Sequence, residues 1–157
     1  MGREYDSWHV RFLTGEMYEK KPDKPLNQRA SYEVAHSGAL SYKVPSFEQF
    51  TDFFEINLSK VTPRTRNVTI RVTGYVYPLI PFSENDTRLV VAMKDRSDLY
   101  HCILLDSVAK KVNQWNRVTY RATFPYVKSS DRVQIYFWHL GKKEFYIDDL
   151  KIEEIYP

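Results

Sequence analysis

Cysteine is almost missing: Cys102 stands alone in 157 residues, so no internal disulfide can staple the fold. It lies in the apolar run Cys102-Ile103-Leu104-Leu105, which reads as a buried, inert thiol. No apolar run reaches the roughly 18 residues of a membrane-spanning helix, so no membrane insertion by this segment is expected. Met1-Gly2-Arg3-Glu4 leads straight into polar sequence without the apolar core of a signal peptide. The expectation is one domain, residues 1–157, trimmed from a larger exported protein and kept beside its other domains. Glycine is scarce as well, at 5 residues, which leaves no Gly-rich phosphate loop and no Gly-x-Ser-x-Gly nucleophile elbow. Charge of one sign never accumulates. The net charge is +3, and Lys20-Lys21, Lys110-Lys111 and Lys142-Lys143 are isolated pairs that read as solvated loop charges, which argues against a nucleic-acid partner. His9, His36, His101 and His139 are scattered without zinc-ligand spacing.

What is abundant is aromatic: 12 Tyr and 9 Phe, residue types that suit a pleated, half-buried surface. Period-two alternation runs through the chain. Val68, Ile70, Val72, Gly74 and Val76 oppose Thr69, Arg71, Thr73, Tyr75 and Tyr77. Similar alternation marks Trp8–Phe12, Phe54–Leu58, Leu89–Met93, Val118–Phe124 and Val133–Phe137, with shorter candidates at Ser31–Val34, Ala39–Val44 and Tyr100–Leu105. Turn-rich stretches separate them at Lys20–Asn27, Thr62–Asn67, Pro78–Thr87 and Lys128–Asp131. Asp106–Asn113 reads as a short helix or loop and Ser46–Phe50 as a single turn. About ten strands without a sustained helical period predict an all-β antiparallel sandwich or jelly roll.

The closing strand breaks parity. Phe145 and Ile147 share one face, while Leu150 and Ile152 have the opposite parity. If all four point inward, a β-bulge at Asp148-Asp149 must absorb one residue. Two adjacent carboxylates there need a cation, basic side chains or backbone N–H groups to neutralise them. Calcium, a hard cation with oxygen ligands, is one solution; a turn-capping Asp beside a solvated one is another. Adjacent strand residues point to opposite faces, so this pair does not make the flanking carboxylates of a glycosidase. No enzyme activity is expected.

Ala35-His36-Ser37-Gly38-Ala39-Leu40-Ser41-Tyr42-Lys43-Val44, Trp115-Asn116-Arg117-Val118 leading to Phe124-Pro125, Val133–Trp138 and Phe145–Ile152, in that order, resemble galactose-binding-like jelly rolls. These include carbohydrate-binding modules of polysaccharide-degrading enzymes, and the resemblance runs from about Tyr5 to Ile155. It implies a structural calcium near the chain ends, held by Asp6, a backbone oxygen near His36 or Ser37, and Asp148 or Asp149. Glu4-Tyr5-Asp6 departs from the family's usual Phe-Glu pair at the first ligand. It also implies that Trp115 is a core residue.

A module of this kind would bind an oligo- or polysaccharide through flat rings and planar polar groups. The candidates are Arg71, Tyr75 and Tyr77 on one strand, with Tyr136 and Trp138 on another; Trp138 would sit at a loop rim before Leu140–Lys143. They make one platform only if the two strands share a sheet. The competing reading is that outward tyrosines pair across strands and the domain is a structural or protein-contacting sandwich. Asn57-Leu58-Ser59, Asn67-Val68-Thr69 and Asn85-Asp86-Thr87 are glycosylation sequons and hint faintly at an extracellular, periplasmic or cell-surface site.

Overall fold

The computed structural model describes residues 10–13, 30–47, 50–51, 54–58, 67–96 and 98–155. Alternating sequence becomes antiparallel strands: β1 (Val10–Leu13), β2 (Ala30–Ser31), β3 (Ser41–Val44), β4 (Phe54–Asn57), β5 (Asn67–Pro78), β6 (Thr87–Met93), β7 (Tyr100–Leu104), β8 (Asn116–Pro125), β9 (Arg132–His139) and β10 (Phe145–Ile155). They form a six-stranded sheet, β2-β3-β10-β5-β8 with β1 also on β10, and a four-stranded sheet, β4-β9-β6-β7. The expected all-β sandwich is therefore the fold. Within the 106–113 stretch, the helical expectation reduces to a single 3-10 turn, Leu105–Ser107.

One apolar face per strand supplies the core, as two sheets packed face to face require. From the six-stranded sheet come Val68, Ile70, Val72 and Val76, with Val118, Ala122 and Phe124 beside them. From the other come Leu89, Val91, Met93, Val133, Ile135 and Phe137. At one edge the Tyr120 hydroxyl spans the sheets, donating to the Cys102 carbonyl at 3.2 Å.

β10 organises the larger sheet. Its whole length pairs with β5 on one side. On the other side it pairs with β3 over Phe145–Ile147 and with β1 over Leu150–Glu153. The pairing with β5 shifts between Asp148 and Lys151, and Asp149 takes φ 51°, so the parity break is a bulge. Phe145, Ile147, Leu150 and Ile152 are all buried in the core as a result. Gly74 faces the bulge. A Cβ there would lie 2.7 Å from Leu150 Cδ1 and 3.3 Å from its Cα, so the missing side chain is the space Leu150 fills.

Three sequence expectations need correction. The short second strand is Ala30–Ser31 rather than Ser31–Val34, because Ser31 Oγ accepts the Glu33 N–H and turns the chain away. Cys102 is only half-buried: edge strand β7 turns Ile103 and His101 inward, His101 edge-on to Phe124 at 5.1 Å, and Cys102 opposite Val90 faces out. Trp115 is likewise half-buried, its ring against Tyr77 on the outer side of the large sheet, because inward parity in β8 belongs to Asn116 and Val118. Trp8, where the first alternating stretch begins, falls outside the described residues.

Gly74→Ala should destabilise the protein by about 1–3 kcal/mol through overpacking against Leu150. In a Leu150→Ala background the same change should cost less than half as much. Chemical denaturation of the four proteins of that cycle measures the coupling, and strict additivity would contradict the pairing of glycine with bulge.

Candidate functional site

The outer face of the four-stranded sheet carries a row of partly exposed rings, while the more exposed Tyr32, Phe47 and Tyr126 lie singly in turns. Strand register sets three rows across β9, β6 and β7: Trp138–Arg88–Leu104, Tyr136–Val90–Cys102 and Gln134–Ala92–Tyr100. Phe50 joins them through an isolated bridge to Trp138. Its ring stacks on Trp138 at 6.2 Å and 20°, and meets Tyr136 edge-on at 5.8 Å. The Arg88 guanidinium lies 5.0 Å from the Trp138 ring centroid, a cation–π contact. Phe50, Tyr100 and Leu104 are 43%, 41% and 47% exposed, whereas Val90 beneath the rings is fully buried on this outward face. Burial raises the pKa of both the Tyr100 and the Tyr136 phenol. Trp138 lies within the strand, which runs through His139, and not at a loop rim.

Arg71, Tyr75 and Tyr77 lie elsewhere. β5 belongs to the six-stranded sheet and β9 to the four-stranded one, so the five sequence candidates do not form one platform. Around β5 the rings pack on each other. His36 stacks on Tyr75 at 3.5 Å and 15°, and Trp115 meets His36 at 5.8 Å and Tyr77 at 5.3 Å. Tyr77 is edge-on to Tyr146 at 6.1 Å. The buried Tyr146 hydroxyl donates to Glu33 at 2.6 Å, and Lys43 donates to the same carboxylate at 2.8 Å. That lysine bond holds the Glu33 pKa below the usual range, while burial pushes the Tyr146 phenol well above its own. Arg71 pairs with Glu153, which Lys151 also grips. The residue 33–37 segment thereby covers the Tyr75 end of this cluster.

The carboxylate pair at the bulge sits against the same segment. Asp148 Oδ2 accepts the His36 N–H at 2.9 Å and the Ser37 N–H at 3.2 Å, and Oδ1 accepts the Asp149 N–H at 2.8 Å. Asp149 takes His36 Nδ1 and Ser37 Oγ, both at 2.7 Å. Burial is the largest influence on Asp148 and raises its pKa, against the lowering effect of those backbone donors. The turn offers N–H groups where the calcium reading needs a backbone oxygen. Among the described residues no three His, Cys, Asp or Glu side chains converge, and Asp6 falls outside them. Among the described residues, the donors at the bulge fall short of the six to eight oxygens that calcium takes.

At the end of β9, His139 is fully buried. Its Nε2–H donates to the Lys143 carbonyl at 2.8 Å, and Nδ1 lies 2.7 Å from the Thr87 hydroxyl oxygen, which also lies 2.8 Å from the Asn85 carbonyl. Burial, the main cause, lowers its pKa. Asn85 is fully buried beside it, its amide bonded to the Lys143 carbonyl and N–H, so the sequon at Asn85 presents no accessible acceptor in this fold.

Sequence reasoning missed Phe50, Tyr100, Arg88 and Leu104. The outward parity of β6 and β7 could have found three of them. Phe50 lies outside any alternating run, so no sequence signal marks it.

No protein-family model and no curated protein matches the sequence. Among solved structures, the chain is similar to carbohydrate-binding modules. One is the CBM22-1 xylan-binding domain from Paenibacillus barcinonensis Xyn10C, at TM-score 0.48 and 17% identity over 80% of this chain and 79% of that one. Another is a family 16 carbohydrate-binding module, at TM-score 0.49 and 12% identity over 78% and 82%. A third is TmCBM61 in complex with β-1,4-galactotriose, at TM-score 0.43 and 11% identity over 94% and 83%. The sugars named in these descriptions are properties of those proteins.

Two outcomes follow from the hydrogen bonding. Asp148→Ala/Asp149→Ala should lose about 1–3 kcal/mol by stranding the residue 36–37 donors. The loss should be equal in calcium and in EDTA; a calcium-dependent melting shift in the parent that the double variant lacks would overturn this. Because the folded-state pKa of His139 is depressed, its contribution is intact above the ordinary value of 6.5 and declines as pH falls below it. Denaturation midpoints from pH 8 to pH 5 should fall less steeply in His139→Gln than in the parent.

Proposed function

We propose that the chain is a non-catalytic module that binds a glycan on the outer face of its four-stranded sheet. The observation that carries this reading is the exposed ring surface of Phe50 and Tyr100, continued by Tyr136 and Trp138. Monomeric domains rarely expose contiguous apolar surface without a use for it. The physical fit is to pyranose rings, whose C–H faces stack on aromatic faces while their hydroxyls need polar neighbours. Gln134, Arg88 and the Tyr100 and Tyr136 hydroxyls supply such neighbours in the same three rows. Phe50 already covers one face of Trp138, so Phe50 and Tyr136 are the proposed stacking rings and Trp138 supports them. An exported parent protein, in which this domain is an accessory, belongs to the same reading.

A broad glycan screen tests it on the folded chain. Phe50→Ala/Tyr136→Ala should weaken binding to the best glycan by about tenfold or more. The double variant should retain the parent's circular dichroism. Absence of glycan binding in a folded sample would favour the structural or protein-contacting sandwich, for which the same apolar strip would be a protein contact.

A further inference from the structure

The fold gathers cations that the sequence keeps apart. β8 is an edge of the six-stranded sheet among the described strands, and its outward residues Arg117, Thr119 and Arg121 are exposed. Register places Arg121 opposite Arg71, which lies opposite Glu153 on β10. Like charges directly opposite each other on a sheet repel. Glu153 serves Arg71 through one oxygen and Lys151 through the other. No carboxylate is paired with Arg121 or Arg117 among the described residues. Arg117 lies opposite Tyr75, and Thr119 opposite Thr73, so hydroxyls separate the two guanidinium groups.

We propose that this edge is a second binding site, for a linear polysaccharide bearing carboxylates. A guanidinium forks a carboxylate through two parallel N–H donors, which makes Arg the suited residue for that group. Arg117 and Arg121 are four residues apart on one strand, about 13 Å by strand rise. Carboxylates recurring along a polyuronate can reach both guanidinium groups at this separation, and the neutral hydroxyls of its sugars meet Thr119 and Thr73. The site faces away from the Phe50–Tyr136 strip and is independent of it.

Affinity electrophoresis of the full chain through polygalacturonate tests the site at about 0.15 M salt, where long-range surface attraction is screened. Fully methyl-esterified polygalacturonate, with the same backbone and no charge, is the matched control. The parent should be retarded by the acid form and about tenfold less by the ester. Arg117→Gln/Arg121→Gln should lose about tenfold in affinity for the acid. Arg117→Lys/Arg121→Lys, which keeps the charge and loses the fork, should lose several-fold. Phe50→Ala/Tyr136→Ala should bind the acid form as the parent does, which separates this site from the glycan strip. Equal retardation by acid and ester, equal or tighter binding to duplex DNA, or full retention by the Gln or Lys variants would each overturn the proposal.

Discussion

The bulge in β10 is the constraint on which the rest of the structure depends. A strand that kept strict alternation from Phe145 to Ile155 would turn either Phe145 and Ile147 or Leu150 and Ile152 to solvent. The extra residue at Asp148–Asp149 sends all four inward, and Gly74 on β5 leaves the volume that the re-aimed Leu150 fills. The same irregularity divides the free side of β10 between β3 and β1, so two chain segments distant in sequence share one strand. It also turns the two carboxylates toward residues 36 and 37. Their hydrogen bonds hold that segment over Tyr75, where the imidazole of His36 covers the ring.

That chain of contacts explains why the two outer faces differ. Where the 33–37 segment is tied to the bulge, aromatic rings on the six-stranded sheet have protein on their faces, and the Tyr146 hydroxyl ends on Glu33. The four-stranded sheet has no comparable tie among the described residues. Its rings are covered by each other, with Phe50 leaning on Trp138 and Tyr136, and their outer surfaces remain exposed. Aromatic composition alone cannot distinguish these conditions, because the alternation of Tyr75 and Tyr77 looks like that of Tyr136 and Trp138. What differs is a loop brought from far away in sequence.

Legibility in the sequence follows the range of the interaction responsible. The long strands and the bulge were readable because parity is a local property: Val68 to Val76 and the break after Ile147 need no knowledge of partners. Gly74 was read only as one more inward residue, since its role is set by a residue 76 positions away whose neighbour it becomes. Whether the rings made one platform hung on sheet membership, which no alternation encodes, and β5 and β9 lie in different sheets. Trp115 and Cys102 were misread for a related reason. Each was assigned inward by residue type or resemblance, while the register of its strand gave the inward positions to Asn116 and Val118, and to His101 and Ile103.

The basic edge of β8 shows the same limit with opposite consequence. The small net charge and isolated lysine pairs argued against a nucleic-acid partner, and along the chain Arg71 and Arg121 are 50 positions apart. Pairing of β5 with β8 sets them opposite each other, and Glu153 can neutralise only part of the charge that results. Exposed edge strands often carry cations to discourage pairing with another chain. That role is compatible with ligand binding here, since edge protection concerns the backbone N–H and C=O groups of β8 and the proposed contact uses its outward side chains. A sheet can therefore guard its edge and present a charged row with Arg117 and Arg121, and the like charge of Arg71 opposite Arg121 is what a bound carboxylate would offset.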